Sequence, residues 1–116
     1  MNIKSKIWLE KDNKMVFGAG KSLILKAIKE TGSINQAAKK LNMSYRHAWS
    51  YIRSIEKRLN KELVTKIKGG QGGGGAVLTP YAARLLQTFD KLERDIISIA
   101  NKKFKALFLS DEIFSG

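Results

Sequence analysis

Near the N-terminus, apolar residues recur with a period of two. In IKSKIWLE, Ile3, Ser5, Ile7 and Leu9 share one face, which predicts a strand. Residues Lys11 to Lys14 (KDNK) supply turn chemistry, and MVF returns as a second strand, so a short hairpin opens the chain. The spacing then lengthens to that of a helix. KSLILKAIKET, Lys21 to Thr31, carries an apolar stripe of Leu23, Ile24, Ala27 and Ile28. Gly32 falls where a left-handed residue ends a helix. Ser33 caps the next helix, and Gln36 three positions later completes a capping-box pattern. INQAAKKL is short, with Ala37 and Ala38 small enough to admit a neighbouring helix and Leu41 to anchor it. Asn42 and Met43 make a turn, Ser44 caps a third helix over Tyr45 to Leu59, and Asn60 closes it. Two helices across so short a link predict a helix-turn-helix.

ELVTKIK is too short and too β-branched for a helix. It precedes KGGQGGGGAVLT, Lys68 to Thr79, which places six of the ten glycines within seven positions. Two short strands around a glycine tip predict a second hairpin. Thr79 followed by Pro80 is a helix start: a capping hydroxyl, then a residue whose missing N–H is no loss in the first turn. The last helix is expected from Pro80 to about Phe104, with SDEIFSG as a frayed tail.

This order predicts an α+β, mainly α fold. It is a winged helix-turn-helix with an N-terminal β-hairpin, the glycines at the tip of the wing, and a long C-terminal helix. Residues 1–79 form the winged unit, 80–108 the terminal helix of the same domain, and 109–116 the tail. A chain of 116 residues holds one modest core rather than two.

Charge sharpens this picture. Twenty-two Lys and Arg against ten Asp and Glu give a net charge of +12. No acid occurs from Thr31 through Ile55, or from Leu63 through Phe89. Solubilising lysines alone would raise the net charge, but long acid-free stretches point to a polyanion. The absence of cysteine excludes disulfides, thiol catalysis and cysteine-ligated metals. No apolar run approaches the ~20 residues of a membrane span, and the N-terminus lacks a signal-peptide core, so a cytoplasmic protein with no membrane partner is expected.

GAGKS, Gly18 to Ser22, is similar to the end of a nucleotide-binding P-loop, but the first glycine of that pattern would have to fall at Met15. It reads instead as the entry into the first helix. His47 is the only histidine and has no thiol or second imidazole with which to share a metal. No catalytic set and no cofactor are expected, and hence no enzyme.

On a wheel of about 100° per residue, Ala48, Ile52, Ile55 and Leu59 of the third helix face the core, while Arg46, Ser50, Arg53 and Lys57 lie opposite. Such a face suits a major groove, where Arg grips guanine through O6 and N7. Duplex DNA hides its base faces, so Tyr45, Trp49 and Tyr51 are read as packing residues, with a phosphate or base-edge contact allowed to Tyr45. Ser33, Asn35 and Gln36, at the positive end of the second helix, are expected to meet phosphates. In the wing, Lys66, Lys68 and Gln71 flank or interrupt glycines that let the backbone lie close to a sugar-phosphate rail.

The terminal helix repeats Ala82, Leu85, Phe89, Leu92, Ile96 and Ile99 at spacings of 3, 4, 3, 4 and 3, a heptad-like seam. A helix of some 25 residues spans roughly 37 Å, more than so small a core covers. Leu85, Phe89, Leu92, Ile96 and Ile99 are therefore expected to form a homodimer interface.

The stretch TGSINQAAKKLNMSYRHAW followed by GGQGGGGAVLT resembles the DNA-binding domain of the ModE family, the molybdate-responsive bacterial regulators. Ser44 to Glu56 is similar, more loosely, to the LysR-type regulators. The likeness covers roughly Ile7 to Leu92. It implies a dimeric winged helix-turn-helix that binds double-stranded DNA at a palindromic operator. Ser44, Tyr45, Arg46, Ser50 and the glycine wing take the family's positions. ModE regulators sense molybdate through C-terminal oxyanion-binding domains, which this chain does not include, so molybdate sensing by it is not expected. The alternatives are a sequence-tolerant architectural DNA-binding protein and a module that docks a separate effector-sensing protein.

Overall fold

The computed structural model describes residues 1–67, 75–110 and 112–114. Its elements are β1 (Trp8–Lys11), β2 (Lys14–Gly18), α1 (Ala19–Thr31), α2 (Ile34–Lys40), α3 (Tyr45–Leu59), β3 (Val64–Ile67), β4 (Gly75–Leu78) and α4 (Pro80–Phe104). A π-helical turn, Lys105–Leu109, follows α4. The fold is mainly α, with an N-terminal hairpin, helix-turn-helix, wing strands and long last helix, as the pattern predicts. The predicted glycine tip, with Lys68 and Gln71, lies outside the described residues.

The chain divides into two compact units, one of them Trp8–Leu86. In that unit β1 and β2 pair antiparallel through a two-residue turn at Asp12 and Asn13, whose φ values of 53° and 62° are those of a type I′ hairpin. The first strand is shorter and later than alternation from Ile3 predicts. Trp8 pairs with Gly18, and α1 begins at Ala19, so no strand remains for residues before Trp8 to pair with. The register shifts between Leu9 and Glu10. That bulge leaves Val16 as an extra residue, and Val16 and Phe17 are both buried although they are adjacent.

Three helices and the strands enclose the core. The α1 helix packs against α2, α3, β2 and β4, and α3 packs against α2 and β2. Ile24, Leu25 and Ile28 of α1, Ala37 and Ala38 of α2, and Ala48, Ile52 and Ile55 of α3 are all buried. A fully buried Ile, Leu or Phe side chain contributes about 1.5–3 kcal/mol from lost water contact. One residue of the predicted α1 stripe is misplaced: Leu23 is 49% exposed and Leu25 takes its place inside at 0%. The helix also starts two residues earlier than Lys21, so Ala19 and Gly20 form its first turn.

Helix ends follow side-chain chemistry closely. Gly32 ends α1 at φ 69°, with its N–H donating to the Ile28 carbonyl at 2.8 Å. Ser33 Oγ accepts the Gln36 N–H at 3.1 Å, and the Ser33 N–H is taken by Thr31 Oγ1 at 3.3 Å. The turn after α2 is a Schellman motif. Asn42 stands at φ 56°, its N–H donating to Lys39 and that of Met43 to Ala38, at 3.1 and 3.0 Å. Ser44 Oγ then accepts the His47 N–H at 3.0 Å and opens α3.

The wing strands pair Val64 with Leu78 through Ile67 with Gly75. Ala76 N–H donates to the Gly32 carbonyl at 2.9 Å, joining β4 to the α1–α2 corner. At the far end, Thr79 Oγ1 donates to the Glu62 carbonyl at 2.7 Å and accepts the Ala82 N–H at 3.2 Å. One hydroxyl thus closes the wing and caps α4.

In the other unit, α4 continues and Phe104, Phe108 and Phe114 form an aromatic run with centroid separations of 5.3 and 4.8 Å. Phe89 is buried. Leu92, Ile97 and Ile99 are exposed. Among the described residues, no helix is long and apolar enough to cross a membrane.

Candidate nucleic-acid interface

The two faces of α3 separate cleanly. Ala48, Ile52 and Ile55 point inward, with Leu59 half-buried, while Tyr45, Arg46, His47, Ser50, Arg53 and Lys57 are exposed. The Ser44 cap and the Asn60 left-handed terminus fix the helix length, so these side chains project from a rigid element. Among the described residues no ion pair engages Arg46 or Lys57, which leaves their charges available to solvent.

Trp49 joins this face to the wing. Its half-buried ring lies 4.6 Å from the Arg53 guanidinium carbon, one turn along α3, and 4.8 Å from Lys66 Nζ on β3. Tyr45 meets the same ring edge-on at a centroid separation of 6.4 Å and an interplanar angle of 82°. His47 packs on Tyr51 at 4.6 Å. The aromatics therefore pack against protein groups, as expected, but two of the partners are cations.

The acid nearest this face is turned to structural use. Glu56 Oε1 accepts from Arg53 Nη1 at 3.2 Å, and Glu56 Oε2 accepts the N–H of buried Leu63 at 2.9 Å. The link from Trp49 to the wing and the role of Glu56 are absent from the sequence expectations. Their spacings to Arg53, four and three residues on one helix, signal side-chain contact. Lys66 and Leu63 meet them only through tertiary structure.

Ser33 is half-buried as the α2 cap, and Asn35 and Gln36 are exposed in the first turn of α2. Ser44 is exposed at the start of α3, and Lys66 is exposed on β3. Lys68 and Gln71 lie outside the described residues. Along α4, Leu85 and Ile96 are half-buried, Leu92 and Ile99 are exposed, and Phe89 is enclosed by its own chain at 2% exposure. The exposed part of the seam is thus narrower than the full heptad pattern.

Two groups titrate away from their ordinary values. Burial, with the nearby Arg58 charge adding, holds Lys21 below the usual lysine value, and its Nζ points at Ser54 Oγ, 3.5 Å away. Its ammonium therefore lies against the α1–α3 contact. Glu30 hydrogen-bonds and ion-pairs with Lys40, which lowers its pKa and ties α1 to α2. Among the described residues, no three His, Cys, Asp or Glu side chains gather where a metal would bind.

Comparison with known proteins agrees with this geometry. Residues 23–83 match the bacterial regulatory helix-turn-helix proteins of the lysR family. The chain is 48% identical over 71 residues to the transcriptional regulator ModE of Haemophilus influenzae, covering 61% of this chain and 28% of that protein. It is 41% identical over 90 residues to the DNA-binding transcriptional dual regulator ModE of Escherichia coli K12, covering 78% of this chain and 33% of that one. The chain therefore spans about a third or less of the length of these relatives. Its fold is similar to that of a CbnR_DBD–DNA complex, with a TM-score of 0.57 at 18% identity over 75% of this chain and 94% of the other. The chain belongs to the lysR family of bacterial regulatory helix-turn-helix proteins, as a ModE-like winged-helix DNA-binding domain.

Proposed function

We propose that this chain binds a two-fold DNA operator as a homodimer and regulates transcription by reading its sequence. The observation that carries the reading is the exposed, acid-poor face of α3, with Arg46, Ser50, Arg53 and Lys57 outward and Ala48, Ile52 and Ile55 buried beneath. In the major groove Arg46 reads a base edge and Ser50 makes a shorter contact, while Ser44 and Tyr45 meet the flanking backbone. Asn35 and Gln36, beside the Ser33 cap, reach phosphates from α2. Lys66 and, beyond it in sequence, Lys68 neutralise phosphate from the wing, and Gln71 donates a hydrogen bond to the same backbone.

The exposed part of the α4 seam, Leu92 and Ile99 with half-buried Ile96, pairs with a second copy. Two recognition helices then enter successive major grooves about 34 Å apart. The names of the similar ModE regulators support this reading, as does their 41–48% identity across the helix-turn-helix.

The test is a selection of bound fragments from genomic DNA, followed by affinity measurements on the winning duplex and on random duplex. Preference of at least ~10³ at physiological salt is expected. Equal affinity for both would identify a coating protein. No duplex affinity even at low salt would identify a docking module.

A further inference from the structure

Trp49 was expected only to pack, yet its ring gathers two cations from different elements. Arg53 approaches from one turn along α3 and Lys66 from β3, at 4.6 and 4.8 Å. Two like charges drawn to one ring repel each other, and both side chains are otherwise exposed to water. The electron-rich face of an indole attracts each of them, and Trp is the best of the aromatic side chains for this contact. Glu56 also holds the Arg53 guanidinium, at 3.2 Å, while its second oxygen accepts the Leu63 N–H at the entrance to β3. The helix and the entrance to the wing strand are thus coupled by the Glu56 carboxylate on the Leu63 backbone N–H, and the helix and strand by side chains at Trp49.

We infer that Trp49 is a positioning residue, whose ring presents Arg53 and Lys66 as one pre-ordered cationic pair to adjacent phosphates of the bound duplex. This rests on the DNA-binding reading above. A contact present in both free and bound protein adds nothing directly to affinity. What Trp49 changes is the cost of ordering two long side chains and bringing their charges together. Ordering one such side chain on binding weakens affinity by about two- to tenfold. The indole removes much of that cost for both before DNA arrives. Trp49 itself need touch no nucleotide.

The test uses the tightest-bound duplex from a selection with the wild-type protein. Trp49→Leu is expected to weaken binding about tenfold while leaving the salt slope unchanged, because the number of neutralised phosphates is the same. Trp49→Phe, with a weaker π face, is expected to lose less. In an Arg53→Gln, Lys66→Gln background the Trp49→Leu loss is expected to vanish, since no cations remain to position. A purely structural role would give the same further loss in that background, and this would overturn the inference. Equal binding by Trp49→Leu and wild type would overturn it as well. If circular dichroism shows Trp49→Leu unfolded, the same cycle with Trp49→Phe decides by the same criterion. A wild-type protein that binds no duplex would instead end the DNA-binding reading itself.

Discussion

The carboxylate of Glu56, near the end of α3, accepts the backbone N–H of Leu63, seven residues on, at 2.9 Å. Leu63 is fully buried, so this N–H has no water to turn to. Glu56→Ala is predicted to destabilise the fold by about 1–3 kcal/mol, the cost of an unsatisfied buried donor. Urea denaturation checks this, and an unchanged midpoint would show that the wing's entrance is held by other contacts.

Gly32 carries a second structural load. Its φ of 69° ends α1, and its carbonyl accepts the Ala76 N–H of β4 at 2.9 Å. A Cβ at Gly32 would meet no atom within 4 Å, so conformation alone sets the cost of adding one. Gly32→Ala is predicted to destabilise by about 1 kcal/mol, read as a lowered thermal midpoint. A stabilised variant would mean that the left-handed turn relaxes freely.

These two residues mark what was and was not legible in the sequence. As helix ends, Gly32, Ser33, Asn42, Ser44, Asn60 and Thr79 act on groups a few residues away, and each follows from its neighbours in sequence. Leu23 and Leu25 show the limit. They lie about 100° to either side of Ile24 on the helix, and periodicity treats them alike. Packing against the other elements buries Leu25 and leaves Leu23 in water. The burial of both Val16 and Phe17 likewise depends on a bulge that strict alternation cannot encode. At the site, the outward set Arg46, Ser50, Arg53 and Lys57 follows from the wheel, whereas Lys66 over Trp49 needs β3 to be in place.

Acid stability offers a third check. Lys40 holds the Glu30 pKa below the ordinary carboxylate value of 4.5. A depressed folded pKa means that the unfolded chain binds the proton first. The pair's stabilisation is then complete above pH 4.5 and lost as pH falls through the lower folded value. Glu30→Gln is predicted to flatten that part of the stability–pH curve at low salt and to change little at high salt, since both groups are exposed. An unaltered acid limb in the variant would remove Glu30 from the acid response.

The dimer reading turns on Leu92, an exposed apolar residue in the seam of α4. Leu92→Asp would place a charge in the proposed interface. Sedimentation is predicted to shift toward monomer, with far-ultraviolet circular dichroism retained. A dimer of undiminished strength would locate self-association elsewhere.

The most direct measurement compares Arg46→Ala with wild type on the selected operator and on random duplex of equal length. With Arg46 outward on α3 and reading a base, the variant is predicted to lose about 1–3 kcal/mol on the operator, little on random duplex, and to accept other bases at one position. Equal losses on both duplexes would make Arg46 a phosphate contact, and no loss on either would contradict the assignment of this helix face to the groove.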